Sequence, residues 1–307
     1  MNIIDRRFSE LAQEIGALGE KELYHQIRRE FDRVHPDTRR SCQDFFNRFG
    51  FWGRLDPNSG VFEQIELKAQ ALHEHLPDFV RLYGRLADYR SKKTLYAILS
   101  NWYRYDFKTT AEAREYLFDD YFDLDIVRCT SDEVVVDLGA YTGDTVKSYI
   151  ANYGEDCYRR IYCYEITPAS FEKLKQAADG LRDIELRQKG VADAPGVLSL
   201  VTNPSASSNR LGSVGDAEVE VTTLDEDITE PVTLIIADIE GSEYRALCGA
   251  RRHIERGHPK LLISVYHSND DLWRIPKLID ELAPGYEFHL RFRSSPIYPT
   301  EITLLAV

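Results

Sequence analysis

The sequence predicts an α/β fold preceded by a helical region, and three observations carry that prediction. An apolar β-branched run at 134–136 leads into Asp137 and then meets two glycines, Gly139 and Gly143. From about Asp132 onward, short apolar runs alternate with segments of helical spacing, the rhythm of a parallel sheet covered by helices. Before about residue 126, apolar residues recur at helical spacing among charges instead.

In the helical region the spacing predicts helices over Phe8–Phe31, Phe62–His75, Asp78–Tyr89 and Ser91–Tyr105. Asp56-Pro-Asn-Ser-Gly60 reads as a turn, and Thr109-Thr-Ala-Glu112 as a capping-box start for a helix through Phe118. In the α/β region the first strand runs into Asp137 and the second is Arg160–Glu165. Thr167-Pro168 then offers a cap and a proline at the first helical position. Further strands are expected at Ile184–Gln188, Val197–Thr202, Glu218–Thr222, Val232–Asp238 and Leu261–Tyr266. A helix is expected over Ser242–Ile254, another through Leu282, and a closing hairpin from Tyr286–Arg293 and Glu301–Val307.

The segment Asp137-Leu-Gly-Ala-Tyr-Thr-Gly-Asp-Thr145 is a strand turning into a helix over a glycine loop, where backbone without Cβ atoms can approach a ligand closely. Its spacing differs from the Gly-x-Gly-x-x-Gly that cradles a dinucleotide pyrophosphate. Glu165 ends the next strand. In a doubly wound sheet an acid there faces the ribose of a nucleoside lying across the first strand, and its carboxylate can accept from both hydroxyls. The loop and Glu165 together describe a nucleoside pocket.

Composition narrows the classes of function. The 307 residues are 43% hydrophobic and 29% charged, as in a globular protein long enough for one large domain or two ordinary ones. No run of 18 apolar residues and no signal-peptide core is seen, so a cytoplasmic protein without membrane partners is expected. Five scattered cysteines form no Cys-x-x-Cys pair, which argues against a zinc site or a disulfide framework. A formal charge of −13 argues against nucleic acid as a partner, since phosphate-backbone binding needs an excess of Lys and Arg.

Asp137-Leu-Gly-Ala-Tyr-Thr-Gly-Asp, Tyr164-Glu165, Val221-Thr-Thr-Leu-Asp225, Asp238-Ile-Glu-Gly-Ser-Glu243, Leu247-x-Gly-Ala250, Pro259-Lys-Leu-Leu-Ile-Ser-Val-Tyr-His267 and Thr303-Leu-Leu-Ala occur in order. Together they resemble the FkbM family of S-adenosylmethionine-dependent methyltransferases over about residues 120–307. The resemblance implies a class I, Rossmann-like methyltransferase sheet, S-adenosyl-L-methionine as cofactor, and O-methylation of sugars, glycans or natural products. It divides the chain into a helical region, 1–126, for acceptor specificity or dimerisation, and a methyltransferase domain, 127–307. Relatives often carry Lys where Ile236 stands and His where Phe292 stands, so acceptor contacts made by those residues are missing here.

Asp137, Gly139, Ala140, Tyr141, Gly143, Asp144, Thr145 and Glu165 are therefore the expected cofactor-binding residues, with the helix start at 144–145 facing the donor's carboxylate. Asp144 can equally be a dipole-favoured helix start, and Asp193 an ordinary turn residue. Asp238, Glu240 and His267 follow strand ends where an acceptor would lie, so they are the candidate catalytic residues. An acid there could orient an acceptor hydroxyl, take its proton or hold a divalent cation, although no metal site follows from the sequence. Histidine's near-neutral titration suits a base, though a loop-capping role is as compatible. Glu240 and Glu243 could also simply favour the positive end of the helix after Ser242. Ser205–Arg210 is either a flexible lid or a polar loop. N-methylation, an NAD-dependent oxidoreductase and a non-catalytic binding module are the competing readings; the glycine spacing disfavours the second and the intact loop the third.

Overall fold

The computed structural model describes residues 2–116, 121–203, 208–212, 215 and 217–307. They form two compact units, one of Met1–Tyr116, Val265–Lys277 and Glu287–Leu304, the other of Leu117–Ser264, Leu278–Tyr286 and Leu305–Val307.

The first unit opens with helices α1 (Ile3–Gly16), α2 (Glu20–Arg33) and α3 (Pro36–Phe49). The single helix expected over Phe8–Phe31 is therefore divided. Gly19 takes an extended conformation before α2, and each half then turns its own stripe inward. α1 buries Ile4, Phe8, Leu11 and Ile15, and α2 buries Leu23, Ile27 and Phe31. α3 was not anticipated; its charged and polar residues leave only Cys42 and Phe46 as its buried stripe. The turn at 56–60 joins β1 (Leu55–Asp56) to β2 (Val61–Phe62). Then come α4 (Glu63–Glu74), α5 (Leu76–Arg85), α6 (Tyr89–Arg104) and α7 (Phe107–Ala113). α7 starts earlier than expected because the Asp106 carboxylate, not a Thr109 box, accepts from the Thr109 amide at 3.0 Å. It ends at Ala113, and Phe118 lies outside the described residues.

α6 is buried over most of its length, and its cap organises a polar knot. Asp88 accepts from the Ser91 amide and, at 2.8 Å, from the guanidinium of Arg291, which is 1% exposed. His289 Nδ1 lies 3.0 Å from the same carboxylate. Burial alone would raise the pKa of Asp88, but the hydrogen bonds from His289, Arg291 and Ser91 outweigh it and hold it well below the usual carboxylate range.

In the second unit the alternation runs β3 (Val134–Leu138), α8 (Asp144–Tyr153), β4 (Arg160–Tyr164), α9 (Pro168–Ala178) and β5 (Ile184–Arg187). β6 (Gly190–Val191), β7 (Gly196–Val201), β8 (Arg210–Gly212) and β9 (Ala217–Thr222) follow, then α10 (Leu224–Asp227), β10 (Leu234–Ala237), α11 (Glu243–Cys248), α12 (Arg251–Gly257) and β11 (Lys260–Ser264). α13 (Asp271–Leu282), β12 (Phe288–Phe292) and β13 (Ile302–Ala306) close the chain. The seven-stranded sheet has the order β12-β13-β11-β10-β3-β4-β5, with β11, β10, β3, β4 and β5 parallel. Its central strands are apolar on both faces, as a doubly covered parallel sheet requires. Strand order runs outward from β3 in one direction and from β10 in the other, so the switch point lies between them.

The structure departs from the sequence expectation in two further places. The strands expected at 197–202 and 218–222 leave the main sheet and form a four-stranded one, β6-β9-β7-β8. The helix expected over Ser242–Ile254 breaks at Gly249, where a Cβ would meet the Ala192 carbonyl oxygen at 2.0 Å. Among the described residues no helix is long and apolar enough to cross a membrane.

Removing the carboxylate of Asp88 takes away the charged partner of Arg291 and leaves its guanidinium the Ser91 hydroxyl and the Leu290 carbonyl. Asp88→Ala is expected to cost about 1–3 kcal/mol, with the loss read as a lower midpoint in thermal or urea unfolding. Asp88→Asn, which keeps an acceptor, should lose less.

Candidate active site

The site begins where β3 ends. Gly139 has φ +85°, and a Cβ on it would lie 2.1 Å from the carbonyl oxygen of Asp238 at the end of β10. No L-residue fits between those two backbones. The amides of Gly139 and Ala140 donate to the Tyr164 carbonyl at 3.0 and 2.9 Å, so the loop is stitched to the end of β4. Tyr141 takes φ +45°, a left-handed conformation uncommon outside glycine, and aims its amide at Glu165 Oε2, 3.0 Å away. The Gly143 amide closes a turn onto the Ala140 carbonyl at 2.8 Å. Gly143 itself, at φ +84°, caps α8, and a Cβ there would meet Ala177 Cβ at 2.8 Å.

Glu165 is 6% exposed, and both of its oxygens are held by backbone. Oε1 accepts from the Thr167 amide at 2.5 Å while Oε2 accepts from Tyr141. Burial raises its pKa; the hydrogen bonds from Thr167 and Tyr141 oppose that rise without cancelling it. Each oxygen has a second lone pair, so the carboxylate can still accept from a ligand. Thr167 Oγ1 in turn accepts from Asn209 Nδ2 at 3.2 Å, tying β8 of the small sheet to this acid.

These groups line an open cleft. Leu138, Gly139 and Tyr141 come from the β3 end, Tyr164 to Thr167 from the β4 end, and Lys189 to Val191 from beyond β5. Asn209 and Leu211 come from the small sheet, and Asp238, Ile239 and Glu240 from the β10 end. The cleft thus sits at the carboxyl ends of the strands, beside the switch point. One wall is fixed by Asp227, which accepts from the Lys189 ammonium and the Tyr164 hydroxyl at 2.6 Å each. Burial would raise the Asp227 pKa, but those two hydrogen bonds and the Arg187 charge bring it below the ordinary value.

The opposite lip is the turn after β10. Glu240 at φ +54° and Gly241 at φ +95° reverse the chain, and the buried Glu243 holds the turn by accepting from the amides of Ile239 (2.9 Å) and Gly241 (3.4 Å). Glu243 therefore does more than complement a helix dipole. Asp238 accepts from the Tyr121 hydroxyl at 2.7 Å.

Of the residues singled out from sequence, Gly139, Tyr141, Glu165, Asp238 and Glu240 line the cleft. Asp137 is buried within β3 beneath it, and Ala140, Gly143, Asp144 and Thr145 make the loop and the start of α8. His267 belongs to the other unit, where it is 3% exposed, its ring centroid 5.3 Å from that of Phe51 and 4.2 Å from that of Tyr266. Asp193 pairs with Arg245 at 2.7 Å, as a turn residue can. Asp225 accepts from the Arg252 and His253 amides and so caps α12. Of the Ser205–Arg210 segment, residues 205–207 lie outside the described residues, and only Asn209 lines the cleft. Sequence reasoning missed Tyr121, Lys189, Leu211 and Asp227. For Lys189 a signal existed, since it follows β5 as Glu165 follows β4.

An open α/β sheet with a glycine-floored cleft at its switch point is the arrangement of the class I methyltransferase fold. The sequence profile of the Methyltransferase FkbM domain matches residues 137–293, just over half of the chain, and the protein belongs to that family. The crystal structure of an FkbM methyltransferase from Methylobacillus flagellatus KT is similar at 26% identity and a TM-score of 0.69, covering 80% of this chain. This chain spans only 62% of that protein. More distant are an rRNA methylase from Streptococcus thermophilus (15% identity, 58% of this chain and 87% of that one, TM-score 0.39) and a fibrillarin from Aeropyrum pernix solved with S-adenosyl-L-methionine (17%, 58% and 67%, 0.37). Comparison with curated proteins finds no match.

Gly139→Ala tests the floor of the cleft. The added methyl forces the β3 and β10 loops apart and requires a left-handed alanine, which alone costs about 1–2 kcal/mol. A lower unfolding midpoint is expected, together with loss of nucleoside-dependent thermal stabilisation.

Proposed function

We propose that the protein transfers a methyl group from S-adenosyl-L-methionine to a hydroxyl oxygen of a sugar, glycan or natural product. The observation that carries this reading is the pairing of Gly139 with Glu165: a floor without side chains beside a carboxylate whose oxygens keep lone pairs for two ribose hydroxyls. The residues present fit such a nucleoside, since the floor of the cleft admits no Cβ and the Glu165 carboxylate borders it. When bound, the cofactor supplies a methyl group already activated on a sulfonium. What remains for the protein is to position the acceptor in line and remove its proton.

In this reading Glu165 and the 139–143 loop would hold the nucleoside, and the amides opening α8 at Asp144 and Thr145 would offer donors to a carboxylate. Asp137 supports the loop from below. Asp238 accepts the acceptor's proton as the new O–C bond forms, and Glu240 orients the hydroxyl. The Tyr121 hydroxyl bond fixes the Asp238 carboxylate in one rotamer. By residue chemistry His267 is the alternative base. Residues 127–307 hold the donor, and the helical region 1–126 contributes to acceptor choice.

Calorimetry should show binding of S-adenosyl-L-methionine and not of NAD; the reverse result would refute the reading. Glu165→Ala should weaken donor binding by at least roughly tenfold, the worth of about 1.4 kcal/mol. Asp238→Ala should leave donor affinity near wild type and lower turnover by about 10²–10⁴, while a larger effect of His267→Gln on the pH–rate profile would move the base to that residue. Mass spectrometry of metabolites gaining a methyl group identifies the acceptor, and an N-methylated product would correct the atom assigned.

The pH dependence follows from Glu165. Its folded pKa is raised, so the ionised form that accepts from both hydroxyls is lost on acidification at a higher pH than for an ordinary glutamate. Donor affinity should therefore fall as pH drops through that raised value, and Glu165→Gln should flatten the profile.

A further inference from the structure

We propose that the protein forms a two-fold homodimer through the outer face of α3. This helix buries Cys42 and Phe46 on one side and leaves Asp37, Arg40, Ser41, Asp44, Phe45 and Arg48 as one continuous stripe on the other. The stripe borders a shallow groove closed by Tyr298, whose ring stacks on Phe45 at 3.9 Å. Phe49 adds a third ring, 5.0 Å from Phe45. Phe45 and Phe49 are half-buried in this packing, and two cations and two anions stand exposed beside them.

The order of the charges selects a second copy as the occupant. Laid antiparallel on itself about its midpoint between Cys42 and Gln43, α3 brings residues equidistant from that point together. Asp37 then faces Arg48 of the copy, Arg40 faces Phe45, and Ser41 faces Asp44, and the two-fold axis repeats each pair. Two of these contacts are attractive, an ion pair and a hydroxyl beside a carboxylate, while Arg40 meets a Phe45 ring that already stacks on Tyr298 at 3.9 Å and on Trp52 at 5.6 Å. Within the chain these groups are weakly engaged. Arg40 and Asp37 approach only to 4.0 Å, and their side chains are 73% and 78% exposed. The chain as a whole carries −13, which opposes self-association, yet this stripe carries two positive and two negative residues and so adds no repulsion of its own. A partner of uniform charge would meet two like charges wherever it docked.

The test is charge swapping read by sedimentation velocity at about 100 μM protein, where mass action favours an oligomer. The wild type is expected to sediment as a dimer. Arg48→Asp sets acid against acid at both ends of the stripe and should weaken the dimer roughly tenfold or more. Adding Asp37→Arg in the same chain reverses both members of the pair and should restore association. Circular dichroism and donor calorimetry on each variant establish that the fold and the cleft are intact. A monomeric wild type, a dimer indifferent to Arg48→Asp, or a folded double variant that stays monomeric would each overturn the proposal.

Discussion

Two buried glutamates hold the two loops from which the cleft is made, and the rest of the site depends on them. Glu165 accepts from the amides of Tyr141 and Thr167, and Glu243 from those of Ile239 and Gly241. Each therefore satisfies backbone donors in a turn that has left regular structure. Those turns contain Gly139, Tyr141 and Gly143 on one side and Glu240 and Gly241 on the other, all at positive φ. For Tyr141 and Glu240 that conformation costs on the order of 1–2 kcal/mol each. Charge-assisted hydrogen bonds from buried carboxylates are strong enough to offset it. Without them the loops would relax, and the close approach of Gly139 to the Asp238 carbonyl would open.

The two acids differ in what they leave over. Glu243 is fully buried and lies wholly beneath its turn, whereas Glu165 borders the cleft. The same carboxylate that tightens the glycine loop is therefore available to a ligand, so binding and loop geometry are coupled through one side chain. The upward pull of burial on Glu165 makes that coupling sensitive to acid. Asp227 plays a comparable part on the neighbouring wall, gathering Lys189, Tyr164 and Arg187 on one carboxylate and so fixing the side chains that face the cleft.

The main sheet and the glycine loop with Glu165 beside it were legible in the sequence because backbone constraints wrote them. A β-branched run into two glycines admits few alternatives, and an acid at the next strand end falls beside that loop by the geometry of parallel strands alone. What stayed illegible depended on contacts distant in the chain. The strands from 190 to 222 alternate like any others, and nothing local says that they pair only with each other. Gly249 looks like a tolerated helix glycine until the Ala192 carbonyl is seen against it. The division between α1 and α2 needed only Gly19, but the apolar spacing on either side is compatible with one long helix. α3 escaped because a helix with two buried residues has almost no periodicity to detect.

The surroundings of Asp238 were least legible for a related reason. Its residues reach the cleft through side chains rather than backbone, and Tyr121 meets Asp238 across 117 positions of sequence. The two departures from the family's habit sharpen this. Ile236 is 1% exposed within the core of the second unit, and Phe292 is fully buried in β12. At both positions an apolar side chain packs where a polar one would need a partner, and burial of an unpaired polar group costs about 1–3 kcal/mol. In the proposed reading the acceptor is met by the acids of the turn after β10, which the buried Glu243 holds in place.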